Sequence, residues 1–241
     1  MFAREPNPAL GRVTFELRAQ GVKHAAPNPL RSGIHSRGYL PHVKREGAAY
    51  FVTFRLADSL PKVVLMKFQQ ERALALQKLL QADGPSETGS KTQLLAEIEL
   101  AYRRNVERFL DKGVGECLLA RTEIASLVAG VLRHFHEQRY LLGAWVVMPN
   151  HVHAVVWPMP NNLLSDIVKN WKGYSAREAN KILGRTNTPF WQREPFDHWI
   201  RNDVERDRIC RYIINNPVKA GLCKTPEAWR WSSAWREPEH S

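Results

Sequence analysis

The sequence predicts an α+β fold in which helices pack on a sheet. Three observations carry this. Residues 49–56, 140–148 and 151–157 are short runs rich in β-branched and aromatic residues, which suit strands. Residues 122–139 place Ile124, Leu127, Val128, Val131, Leu132 and Phe135 on one stripe, the spacing of a helix lying on a sheet. Breakers rich in Pro, Gly and Asn separate such segments along the chain.

Taken in order, residues 1–36 carry Asn7-Pro8, Asn28-Pro29 and scattered basic residues, and read as a disordered basic arm. Residues 49–56 are the first strand. Phe51, Thr53 and Arg55 share one of its faces, since side chains alternate along a strand. Residues 62–81 and 92–111 read as helices, with a breaker-rich linker over 82–90. Together they predict a helical hairpin inserted after the first strand, over 62–112. Residues 115–119 read as a short edge strand. Arg133, His134 and His136 close the next helix, where positive charge complements the helix dipole.

Residues 163–183 read as another helix, bearing Lys169, Lys172, Arg177 and Lys181 with Trp171 and Tyr174 among them. That face suits nucleic acid as well as it suits solvent. Residues 189–201 form a strand or ordered loop. Asn202 or Asp203 then caps a helix that runs to Asn215. Residues 229–235 hold three tryptophans and dock back on the body.

The chemistry centres on His151-Val152-His153. Pro149-Asn150 marks a tight turn between two apolar strands, and the second strand opens with these residues. The two imidazoles project from one face, about 7 Å apart along the chain, while Val152, Ala154 and Val156 enter a core. A His-x-His pair alone fits either two ligands to one ion or two histidines on a sheet face. About sixty residues downstream, Tyr212 and Asn216 stand four apart and so neighbour each other on one helix face. If that face meets the sheet, two imidazoles, an amide oxygen and a phenol share a pocket. Such a donor set suits Mg²⁺ or Mn²⁺ acting on a phosphodiester, and tyrosine is a recognised nucleophile. A core tyrosine and a proline helix stop at Asn216-Pro217 fit the same spacing.

The chain carries 35 basic and 24 acidic residues, a net charge of +11, which favours a polyanionic partner such as nucleic acid. Its three cysteines, Cys117, Cys210 and Cys223, include no Cys-x-x-Cys pair, which disfavours a zinc ribbon or a disulfide framework. No run suits a signal peptide or a membrane span, and the expectation is a cytoplasmic protein without membrane contact.

Several motifs in order resemble the REP-associated tyrosine transposases, relatives of the single-tyrosine HUH transposases. They are Met148-Pro149-Asn150-His151-Val152-His153, Trp191-Gln192, Asp197-His198-Trp199-Ile200-Arg201, and Tyr212-Ile213-Ile214-Asn215-Asn216-Pro217-Val218-Lys219-Ala220-Gly221-Leu222. Gly38-Tyr39-Leu40-Pro41-His42 and Phe51-Val52-Thr53-Phe54-Arg55-Leu56 extend the likeness, which runs from about residue 37 to 235. The resemblance implies a ferredoxin-like antiparallel sheet backed by helices in a single domain over 37–241. It implies a metal site of His151, His153 and Asn216 holding Mg²⁺ or Mn²⁺, with Tyr212 as nucleophile. The substrate implied is single-stranded DNA with palindromic repeats that fold as hairpins, cleaved and rejoined through a 5′-phosphotyrosine, by a monomer or homodimer. Lys169, Lys172, Arg201 and Lys219 are the candidate DNA-backbone contacts. Two other readings compete: a non-catalytic DNA- or RNA-hairpin binder, and a zinc hydrolase, for which a third His, Cys or acidic ligand is missing at matching spacing.

Overall fold

A computed structural model describes residues 33–36, 41–44, 47–81 and 88–237. The chain forms two compact units, one from residues 1–57 with 118–241 and one from residues 58–117. In the first, β1 (Gly33–Ser36) and β2 (Pro41–Lys44) pair antiparallel, with Ile34 opposite Val43. Gly33–Ser36 is therefore strand, not irregular arm. The rest of the predicted arm, and Gly38-Tyr39-Leu40, lie outside the described residues.

The main sheet holds β3 (Tyr50–Arg55), β4 (Tyr140–Val147), β5 (His151–Pro158) and β6 (Phe196–Trp199) in the order β4-β5-β3-β6, every pair antiparallel. Helix α3 (Thr122–His134) joins β3 to β4 along the chain, and α4 (Leu164–Ile182) joins β5 to β6. Strand–helix–strand–strand–helix–strand with the first strand between the third and the fourth is the ferredoxin-like topology that the resemblance implied.

The alternation of the strands sorts their side chains into two cores. Val52, Phe54, Val152, Ala154 and Val156 pack with Ile124, Val128 and Leu132 of α3 and with Ile167, Val168 and Trp171 of α4. Polar tips in this layer are satisfied: Trp171 Nε1 donates to Tyr140 Oη, which donates to the Leu132 carbonyl, both at 2.8 Å. On the opposite face Phe51, Val146 and Val155 pack with Ile209, Cys210 and Ile213 of α5 (Asp203–Lys219). The helix that carries Tyr212 thus covers the sheet face opposite α3 and α4, with Trp229 packed beside it.

Several boundaries differ from expectation. Residues 115–119 are not a strand: Gly115 has φ +97° and Cys117 φ +51°, and only a short 3₁₀ turn, Leu118–Ala120, follows. Helix α3 stops at His134 instead of Arg139, because Glu137 at φ +64° turns the chain back toward Tyr140. Helix α5 passes through Pro217 to Lys219. A proline that late removes one helical hydrogen bond, and the buried Asn216 and Pro217 hold the turn by packing. Strand β4 bulges between Leu142 and Trp145, where a Cβ on Gly143 would meet the Trp157 ring at 2.7 Å. Residues 229–235 do dock back. Val147 donates to the Trp231 carbonyl (2.8 Å) and Ser233 to that of Trp145 (2.9 Å), covering the outer edge of β4.

The second unit is a helical hairpin of α1 (Lys62–Gln81) and α2 (Thr88–Leu110), the latter starting four residues before the expected position. Phe68 meets Phe109 at 6.5 Å, and Arg72 Nε donates to Glu99 at 2.7 Å. No helix among the described residues is long and apolar enough to cross a membrane.

Candidate active site

The turn that the sequence marked positions His151. Met148 N–H donates to the His151 carbonyl at 2.8 Å, closing a hairpin over Pro149-Asn150. The turn is anchored from two sides, since the Asn150 carbonyl accepts from Leu56 N–H (2.9 Å) and the Pro149 carbonyl from Leu119 N–H (3.1 Å). His151 and His153 then follow on β5, both buried, with ring centroids 4.6 Å apart. In the β3–β5 register Arg55 stands opposite His151 and Thr53 opposite His153.

Each imidazole is held through Nδ1. Asn150 Oδ1 lies 2.7 Å from His151 Nδ1, and Thr53 Oγ1 lies 2.8 Å from His153 Nδ1. An amide oxygen only accepts, so His151 carries its proton on Nδ1 and keeps a lone pair on Nε2. Burial, and then the charge of Arg55, push its pKa down to about 3. It is therefore neutral at physiological pH, the state a metal ligand requires.

Helix α5 supplies the other side. Its N-terminus is capped by Asn202 Oδ1 accepting Glu205 N–H at 2.8 Å, and Asp203 and Glu205 complement its dipole. Ile209, Ile213 and Asn216 form its buried stripe. Tyr212, beside that stripe, stands edge-on to Phe51 (6.2 Å, 90°) and places its ring 5.4 Å from that of His153. Tyr212 Oη is 3.5 Å from His153 Nε2. Lys219 Nζ lies 5.8 Å from the Tyr212 ring centroid.

His151 Nε2 and both polar atoms of the Asn216 amide are buried without a hydrogen-bond partner. Buried polar atoms are almost always paired, so three orphans on the sheet and helix that carry His153 and Tyr212 call for something to bind. Two imidazole nitrogens and an amide oxygen are neutral donors that accept a divalent cation and leave positions for water or phosphate oxygens. Among the described residues no three His, Cys, Asp or Glu come together.

The four expected backbone contacts disperse. Lys219 is near Tyr212. Arg201 precedes the α5 cap and donates its N–H to Glu205 (2.8 Å). Lys169 is exposed on α4, whose buried stripe packs on the other sheet face. Lys172 Nζ donates to the carbonyls of Gln192 and Arg193, each at 2.7 Å, tying down the segment before β6. Burial, and then Arg55, lower its pKa to about 8. His136 lies beyond the end of α3 and accepts from Leu142 N–H (3.0 Å) through Nδ1, a structural role other than the helix-dipole one expected of it. Sequence reasoning read Asn150 only as a turn residue and Thr53 only as one face of a strand, and gave neither a role at the histidines. For Asn150 the signal was its position against His151. For Thr53 it was only that its face is shared with Arg55, and its partner depends on register.

Residues 120–216 match the family described as transposase IS200-like, from the start of α3 to Asn216. A REP-associated tyrosine transposase of Escherichia coli (strain K12) is 28% identical over 119 residues, which make up 49% of this chain and 69% of that protein. A solved structure of a REP-associated tyrosine transposase bound to a REP hairpin is 18% identical, with a TM-score of 0.43 over 83% of this chain and 81% of that one.

Proposed function

We propose that this chain, a relative of the IS200-like and REP-associated tyrosine transposases, is a metal-dependent transesterase of single-stranded DNA that recognises palindromic repeats folded as hairpins. One arrangement carries the reading: the His151 and His153 rings stand 4.6 Å apart, Tyr212 Oη lies 3.5 Å from His153 Nε2, and His151 Nε2 and the Asn216 amide, one helical turn from Tyr212, are buried without a hydrogen-bond partner. The family match spans His151, His153, Tyr212 and Asn216, and the curated relative is named for REP elements.

In this reading Tyr212 Oη attacks the scissile phosphorus. The phenol loses its proton, the Oη–P bond forms, the P–O3′ bond breaks, and the departing 3′ oxygen takes up a proton. The products are a 5′-phosphotyrosine and a free 3′-OH, and the reverse step on the same or another strand rejoins DNA. Phe51 and His153 aim the phenol, and the nearby Lys219 charge favours phenolate. Mg²⁺ or Mn²⁺ held by His151, His153 and Asn216 would supply Lewis-acid polarisation of the phosphate. Arg55, within electrostatic reach of His151 and Lys172, adds positive potential where the phosphate must lie.

The test is end-labelled single-stranded DNA carrying hairpin repeats from the source genome, incubated with Mg²⁺ or Mn²⁺ and run on a denaturing gel. The expected result is an adduct that survives denaturation and is lost with chelator, with Tyr212→Phe and with His151→Ala. Tight binding without adduct or nicking on any repeat or metal would leave a hairpin-binding protein instead.

A further inference from the structure

The two imidazoles are fixed by chemically different partners. Asn150 precedes His151 and reaches it from the same turn, at 2.7 Å. Thr53 reaches His153 across 100 residues of sequence, from the neighbouring strand, at 2.8 Å. Thr53 is 8% exposed and His153 fully buried, so water does not readily take over that contact. A valine of the same shape would satisfy the strand and the packing equally well. A hydroxyl at this one place can accept a proton from His153 Nδ1, which would leave the Nε2 lone pair, 3.5 Å from Tyr212 Oη, free to bind.

We propose that Thr53 is a positioning residue that holds His153 as its Nδ1–H tautomer, with Nε2 presented to the divalent cation. This rests on the metal-site reading above. A hydroxyl can also donate, unlike the Asn150 carbonyl oxygen. His151 is thus locked in one tautomer, whereas His153 depends on Thr53 accepting. Without the hydroxyl, Nδ1 loses this acceptor, and protonation shifts to Nε2, which then points N–H at the ligand position and at Tyr212.

The experiment compares the native protein with Thr53→Val and Thr53→Ser. Mn²⁺ affinity is read by electron paramagnetic resonance, and the tautomers of the histidines by ¹⁵N chemical shifts with chelator and with Mg²⁺. Thr53→Val is expected to weaken Mn²⁺ binding about 10- to 100-fold, the size of loss typical of such outer partners. It should move only His153 toward the Nε2–H form, and Thr53→Ser should restore both readouts. The inference is overturned if Thr53→Val keeps native Mn²⁺ affinity and the His153 tautomer, whatever nicking does. If the native protein binds no Mn²⁺ and forms no adduct, the metal reading fails separately. The chelated spectra then still decide whether Thr53 sets the tautomer.

Discussion

Asn216 has both amide atoms buried and unpartnered, one helical turn from Tyr212. An unpaired buried polar group costs about 1–3 kcal/mol. Asn216→Leu should therefore stabilise the chelated protein by about that amount, seen as a higher melting temperature, while abolishing Mn²⁺ binding. A destabilised variant would mean that the amide has a structural partner. His151 gives a pH dependence. Its pKa is about 3 in the folded state against the ordinary 6.5, so below 6.5 the unfolded chain takes up a proton that the folded one refuses. Its contribution is complete above pH 6.5 and is lost as pH falls toward 3. Moving from pH 7.5 to 5 should cost about 2 kcal/mol of metal-free stability, and urea unfolding of His151→Gln should show that loss removed. The residues of the site were readable because their spacings are local: His151 and His153 are two apart, Tyr212 and Asn216 four apart. That these two pairs meet, and that Thr53 joins them, depends on strand register and on which sheet face α5 covers. No local spacing encodes either.

At the scale of elements, strands and helices were legible wherever periodicity ran unbroken, and ends failed where one residue decided them. Glu137 in the left-handed region ends α3 early, and Asn216-Pro217, a stop signal by local rules, lies inside α5 because the core holds it there. The four-residue β6 is too short to announce itself amid the aromatics of residues 189–201, and pairing with β3 defines it. The β4 bulge was invisible, since Gly143 is informative only against Trp157. Gly143→Val forces a Cβ into that ring, 2.7 Å away, and should destabilise by about 1–3 kcal/mol in thermal unfolding. An unchanged melting temperature would show that the bulge relaxes freely.

Over the whole molecule, the sheet divides labour. One face is closed by α3 and α4 around an apolar core, and the other presents His151, His153 and Thr53 to α5. The fold class followed from element types, and the ferredoxin-like order from the motif resemblance. The net charge of +11 belongs to this scale also. If about six phosphates are neutralised, hairpin affinity should fall roughly 10³-fold between 50 and 200 mM salt, measured by anisotropy. A flat salt response would mean that the charge is merely a solvated surface.

If Tyr212 is the nucleophile, it becomes covalently attached to DNA. The most direct test is to digest the denatured product of a Mn²⁺ reaction with a hairpin-bearing strand and map it by mass spectrometry. The expected product is nucleotide joined through a 5′-phosphate on the peptide containing Tyr212, and on no other tyrosine. Cleaved DNA with a free 5′ end and an unmodified Tyr212 peptide would contradict it, making water the nucleophile.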